Sequence, residues 1–172
     1  VSFPLKQAAT LPTAGMTAWQ ALFAKDKGNL AHNSKQKILI NGASGGVGSF
    51  MVQLAKWAGA QVATTCGSQN LDYVASLGSD HLIDYRRQDI EQALKTWAPE
   101  GVDLIIDAVS AGSLSEPLAL LKPGGKLVSI ATITDDGDFA KASAKAKAQG
   151  FEHILAIVSD ENMAQELEQL AG

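Results

Sequence analysis

A chain of 172 residues has room for one well-buried domain and too little for two of ordinary size. Hydrophobic residues at 46% and charged ones at 19%, with no apolar run near the roughly 20 residues of a membrane span, exclude a membrane protein and a disordered chain. A net charge of -4 supplies no basic face for a phosphate backbone, which excludes nucleic acid as a partner. In chain order, residues 15–25 read as a helix and residues 26–36 as a polar connector. Apolar, β-prone runs then follow at 37–41, 61–65, 81–84, 102–107, 126–131 and 152–158.

Between these runs lie helical patterns. After the first run, Val47, Met51, Leu54, Ala55 and Ala58 recur at helical spacing and Gly59 is placed to end the helix. Further helices are predicted over 70–77, 89–97, 113–121 and 138–149, with a turn at Lys122-Pro123-Gly124-Gly125 after the third of these. A last helix begins near Asp160. Strands alternating with helices imply βαβ units, and six strands fit an α/β, Rossmann-type doubly wound parallel sheet of order 3-2-1-4-5-6 with helices on both faces.

The stretch Asn41-Gly42-Ala43-Ser44-Gly45-Gly46-Val47-Gly48 joins the first strand to its helix. Without a Cβ the main chain can pass close to a pyrophosphate, and the free N–H groups and positive dipole of a helix start neutralise it. Gly45 is the expected close-approach residue, and Gly48 the one that lets helix and strand pack. The fingerprint is a variant, because Ala43 stands at the first position of a strict G-x-G-x-x-G and Gly42 just before it. The same residues satisfy G-x-S-x-G, the nucleophile elbow of an α/β-hydrolase, with Asp107 and His153 following Ser44 in the right order. Such an elbow follows several earlier strands of its sheet, and none precedes this one.

An NAD site places Asp or Glu about 20 residues beyond the glycines to accept from the ribose 2′-hydroxyl. There this chain reads Cys66-Gly67-Ser68-Gln69-Asn70, with no acid before Asp72. A 2′-phosphate is expected to meet no repulsion and to accept hydrogen bonds from Ser68 and Asn70, so NADP is the expected cofactor. The single Cys66 forms no internal disulfide, and with His32, His81 and His153 it offers no metal spacing. No signal peptide is visible, and a reducing, cytoplasmic setting is expected. The last strand carries Ile154, Leu155, Ile157 and Val158 with little charge, a template for pairing with a second copy.

Several stretches together resemble one family. They are the run from Ala8 to Leu22, Gly42 to Gly48, Gln53-Leu54-Ala55-Lys56, Ser76-Leu77-Gly78-Ser79-Asp80 and Ile83-Asp84-Tyr85-Arg86. They are similar to the medium-chain dehydrogenase/reductase superfamily, in its zinc-independent quinone oxidoreductase branch. The resemblance makes residues 1–172 the NAD(P)-binding domain, with a GroES-like catalytic domain before it and a return segment after it that this chain lacks. It implies hydride transfer from NADPH to a quinone or an enone or alkenal, catalytic residues outside the chain, no metal, and a homodimer joined at the last strand. By position, Thr17 falls near the nicotinamide, and Ser44, Gly45, Gly46, Val47 and Gly48 hold the pyrophosphate. Gly67, Ser68, Asn70 and Tyr85, with Arg86 nearby, meet the adenosine phosphate. Ala108, Val109, Ile130, Ala131 and Thr132 line the ribose and nicotinamide. Where several relatives have a lysine this chain has Asn70, so the expected NADPH preference is modest. The chain alone is expected to bind cofactor without turnover. A non-catalytic, crystallin-like nucleotide-binding role is the remaining alternative beside the hydrolase.

Overall fold

A computed structural model describes residues 11–110, 112–130, 136–159, 165, 166 and 168. The strands are β1 (Lys37–Asn41), β2 (Gln61–Cys66), β3 (His81–Asp84), β4 (Val102–Asp107), β5 (Leu121–Ser129) and β6 (Glu152–Leu155). They form one sheet, every neighbouring pair parallel, in the order β3-β2-β1-β4-β5-β6. This is the doubly wound order expected from the strand rhythm. Parallel strands are covered on both faces and therefore read as unbroken apolar runs. On β1, Ile38 and Ile40 enter one core with Leu22, Met51 and Ile106, and Leu39 enters the other with Ile83, Leu94 and Ile105. Alternate Cβ atoms of one strand point to opposite faces, so a single run feeds both cores. Each such side chain contributes roughly 1.5–3 kcal/mol on burial.

The helices are α1 (Met16–Phe23), α2 (Gly46–Trp57), α3 (Leu71–Ser76), α4 (Ile90–Trp97) and α5 (Asp136–Ala148). α2 buries Met51, Val52 and Ala55, and Gly59, at φ +84°, ends it. α4 starts at Asp89, whose carboxylate accepts from the Gln92 N–H at 2.8 Å. A π-helical turn, Leu11–Gly15, leads into α1, and a 3-10 turn, Ser68–Asn70, leads into α3. Among the described residues no helix is long and apolar enough to cross a membrane.

Three expectations need correction. The helix predicted over 113–121 is only a 3-10 turn, Pro117–Leu120. The Glu91 carboxylate accepts from the N–H groups of Ser115 and Glu116 and from the Ser115 hydroxyl, and Pro117 disfavours a helical Glu116. The fifth strand starts earlier than predicted: Leu121 pairs with Val102 before the register shifts to Lys126 with Leu104, so the Pro-Gly-Gly turn sits inside it as an irregularity. The sixth strand stops at Leu155 instead of 158. The chain beyond is drawn to α1, where buried Gln20 donates to the Ser159 carbonyl at 2.8 Å and accepts from its N–H at 2.9 Å. The helix predicted from Asp160 falls mostly outside the described residues.

Candidate functional site

Parallel strands all end at one edge, so the residues that close them become neighbours. Register sets Asn41 beside Asp107, Asp107 beside Ser129, and Cys66 beside Asp84. Over this edge lies a cleft of about 650 Å³. Asn41, Gly42, Ser44 and Gly45 form one wall, Ala108, Val109 and Ser113 another, and Thr65, Cys66, Tyr85 and Ile90 the third.

The glycines of the β1–α2 turn divide into two kinds. Gly42 has φ +88°, and a Cβ there would lie 2.8 Å from Val109 Cγ2; a Cβ on Gly48 would collide with the Gly42 carbonyl oxygen and lie 2.9 Å from Ala43 Cα. These two permit the turn and its packing. Gly45 and Gly46 are exposed, a Cβ on Gly45 meeting only the Gly42 oxygen at 3.4 Å and one on Gly46 nothing within 4 Å. Gly45 is the N-cap of α2 and makes no side-chain hydrogen bond. The first-turn N–H groups have no intrahelical partner, so an open, positively polarised helix start fronts the cleft. The space suits a pyrophosphate.

Beneath the turn is a buried polar network. Asn41, 2% exposed, donates from Nδ2 to Asp107 Oδ1 at 2.9 Å and to Ser113 Oγ at 2.8 Å. Its Oδ1 accepts from the Thr65 hydroxyl, which accepts from the Gly42 N–H at 3.0 Å. Asp107 also accepts from the Val109 N–H and the Ser113 hydroxyl. The network ties the tips of β1, β2 and β4 to all three walls of the cleft.

At the other end Ser68 donates to Asp84 Oδ2 at 2.5 Å, Arg86 N–H donates to Asp84 Oδ1 at 3.0 Å, and Arg87 Nε lies 3.7 Å from Oδ2. The Ser68 hydrogen bond, aided by the Arg86 N–H and the Arg87 and Arg86 charges and opposed by burial, holds the Asp84 carboxyl below its ordinary range. The Tyr85 hydroxyl and Arg86 Nε overhang Gly67, within 3.4 Å of where its Cβ would be. Burial, then the Asp84 charge, pushes the Cys66 thiol up, away from nucleophilic use.

The structure thus gathers Ser44, Gly45, Tyr85, Ala108 and Val109 around one cleft, with Gly46, Val47 and Gly48 in the adjoining first turn of α2. Gly67, Ser68 and Asn70 lie on the β2–α3 turn. Ile130 follows β5, its N–H donating to the Asp107 carbonyl at 2.9 Å; Ala131 and Thr132 lie outside the described residues. Thr17 is buried in α1, not a cleft wall, and its hydroxyl donates to the Thr13 carbonyl at 2.7 Å. Ser68 does not have the free donor expected of it, because its hydroxyl already donates to Asp84. The acid that stands beside this turn is Asp84, at the tip of β3. The sequence reading missed Asn41, Thr65 and Ser113; a polar residue closing the Ile-Leu-Ile run of β1 is the available signal for Asn41.

The hydrolase alternative fails on geometry. Ser44 follows β1, whereas His153 lies on β6, three strands across the sheet and so ~14 Å away. His153 Nε2 is 3.0 Å from Ser129 Oγ and its ring packs on Phe139. Burial, offset by the Asp107 charge, pushes the His153 pKa down.

Six parallel strands in this order, with a glycine turn opening a helix at their carboxyl edge, define a Rossmann-type α/β domain. Residues 46–144 match the family described as zinc-binding dehydrogenase, and the chain belongs to that family, within the medium-chain dehydrogenase/reductase superfamily and similar to its quinone oxidoreductases. The mitochondrial NAD(P)H oxidoreductase RTN4IP1 of Danio rerio is 38% identical over 128 residues, 73% of this chain and 33% of the relative. A quinone oxidoreductase from Coxiella burnetii is 32% identical with a TM-score of 0.76, covering 99% of this chain and 50% of that one. The CurK enoyl reductase is 28% identical with a TM-score of 0.79, covering 99% and 52%. The chain spans about a third of the length of the curated relatives it matches. Among the described residues no group of three or more His, Cys, Asp or Glu is placed to hold a metal ion.

Proposed function

We propose that this chain is the nicotinamide-cofactor-binding domain of an oxidoreductase that reduces a quinone or an enone or alkenal. The observation that carries this reading is the unfilled space before Gly45 and Gly46, where an uncapped helix start opens on a cleft. The pyrophosphate is assigned to residues 44–48 and the adenosine end to Gly67, Ser68, Asn70 and Tyr85. The ribose and nicotinamide are assigned to Ala108, Val109 and Ile130, continuing to Ala131 and Thr132; Thr17 is assigned near the nicotinamide by family position alone. When bound, the cofactor supplies a hydride. The chain's own residues bind it, orient it and exclude water from one side.

NADPH is proposed as the preferred form, because Arg86 and Tyr85 overhang Gly67 where a 2′-phosphate would sit. The rest of the longer protein would form the opposite wall, so this chain alone should bind cofactor without turning it over. The proposed assembly is a homodimer across the edge strand β6, beside which Ile157 is 63% and Val158 36% exposed. The proposed compartment is the cytoplasm, where buried Cys66 would stay reduced. Calorimetric titration with NADPH and NADH tests cofactor binding, and NADPH oxidation by the full-length protein against quinones and 2-alkenals tests the activity. Binding of neither cofactor would overturn the reading.

A further inference from the structure

Ser68 lies on the turn after β2 and Asp84 at the tip of β3, and they meet because Cys66 and Asp84 are in register. A serine hydroxyl has one proton and two lone pairs. Here the hydroxyl donates its proton to Asp84 Oδ2, with Oγ and Oδ2 2.5 Å apart, so it offers only lone pairs to anything else. A ribose 2′-hydroxyl can donate to those lone pairs. A 2′-phosphate carries about -1.5 to -2 charges and only acceptor oxygens, so it meets lone pairs with a carboxylate behind them.

On these grounds we infer that Asp84, acting through Ser68, is a specificity-setting positioning residue that favours a 2′-hydroxyl over a 2′-phosphate and so restrains the NADPH preference. The inference rests on the cofactor reading above and refines it: Arg86 attracts the phosphate, and the Ser68–Asp84 pair opposes it. The turn that follows is closed by main-chain groups as well as by the carboxylate. The Asp84 carbonyl accepts from the Arg87 and Gln88 N–H groups at 3.0 and 2.9 Å, and its N–H donates to Gln88 Oε1 at 2.8 Å. Asp84→Asn therefore keeps the turn, with Oδ1 still accepting from the Arg86 N–H. Its Nδ2 now donates to Ser68, whose proton is released outward. One isosteric change reverses the polarity of Ser68 and removes a negative charge.

The test is calorimetry on this chain with NADPH, NADH, 2′,5′-ADP and 5′-AMP as probes, for wild type, D84N, S68A and the double variant, with thermal unfolding to monitor the fold. D84N is expected to raise the ratio of NADPH to NADH affinity about tenfold, equivalent to ~1.4 kcal/mol, and the ratio of 2′,5′-ADP to 5′-AMP in parallel. In the S68A background the same substitution should raise it only about threefold, because the charge is removed but no hydroxyl turns. A D84N ratio within twofold of wild type, or an equal shift for both cofactors, overturns the inference while leaving cofactor binding intact. Wild-type binding of neither cofactor defeats the cofactor reading and this inference with it. If D84N does not fold, S68A decides alone: a larger loss for NADH than for NADPH supports the inference, and the reverse order overturns it.

Discussion

The two ends of the cleft are made differently. The end under α2 is main chain held by buried polar side chains, with Gly48 packed against the Gly42 carbonyl and Asn41 satisfied by Asp107, Ser113 and Thr65. The end at the tips of β2 and β3 is side chain and open to solvent, Tyr85 being 51% exposed. Steric necessity governs the first, which leaves little room for change. Charge and hydroxyl orientation govern the second, so it can alter selectivity without altering the fold.

The largest expected effect breaks the rigid end. Gly48→Ala places a methyl against the Gly42 carbonyl oxygen, and overpacking of backbone on backbone should cost about 3 kcal/mol. For a domain of this size that is a fall in Tm of roughly 10 °C. A thermal melt within 2 °C of wild type would show that the loop yields and that the contrast is overdrawn. Asn41→Ala comes next. It strips partners from Thr65, Asp107 and Ser113 together, and buried unpaired groups should cost about 2 kcal/mol, read from the midpoint of urea unfolding at unchanged slope.

Much of the rigid end is legible in the sequence, and little of the adjustable end. Glycines punctuate a chain because a missing Cβ is a local property, and apolar strands at βαβ spacing imply their own order. The Ser68–Asp84 pair spans a separation of 16 residues and the Asn41–Ser113 pair one of 72, so neither leaves a local trace. The helix expected over 113–121 failed for the same reason, since its N–H groups go to Glu91, 24 and 25 residues earlier. Ser44, Asp107 and His153 follow a triad's chain order, and only the sheet order separates them.

At the adjustable end, Arg86→Ala should weaken NADPH binding about tenfold and NADH binding less than twofold, because the guanidinium is exposed and the proposed site gives it the 2′-phosphate alone as partner. Equal losses for both cofactors would place Arg86 on the shared part of the ligand. Its melting temperature should stay near wild type, as for most exposed substitutions. Acid offers a second view of the same cluster. With its pKa held below the ordinary carboxylate value near 3.9, Asp84 adds stability that is full above that value and lost as pH falls through its folded pKa. Between pH 5 and pH 2, D84N should lose less stability than wild type.

A small effect on stability, and of opposite sign to that of Gly48→Ala, sharpens the comparison within the glycine turn itself. Gly46 is the first residue of α2, and a Cβ there meets nothing within 4 Å. Its φ is not in the left-handed region, so alanine is conformationally admissible. Replacing glycine by alanine in a helix gains up to ~1 kcal/mol by restricting the unfolded chain. Gly46→Ala should therefore fold as well as wild type or slightly better, two positions from a substitution that damages the fold. The open space is also the reason for its functional cost, because a methyl group there enters the volume assigned to the pyrophosphate and holds it away from the first-turn N–H groups. Calorimetry should show NADPH and NADH weakened by a similar factor, since both carry the same pyrophosphate. Undiminished binding of both by a well-folded G46A protein would remove this turn from the cofactor site.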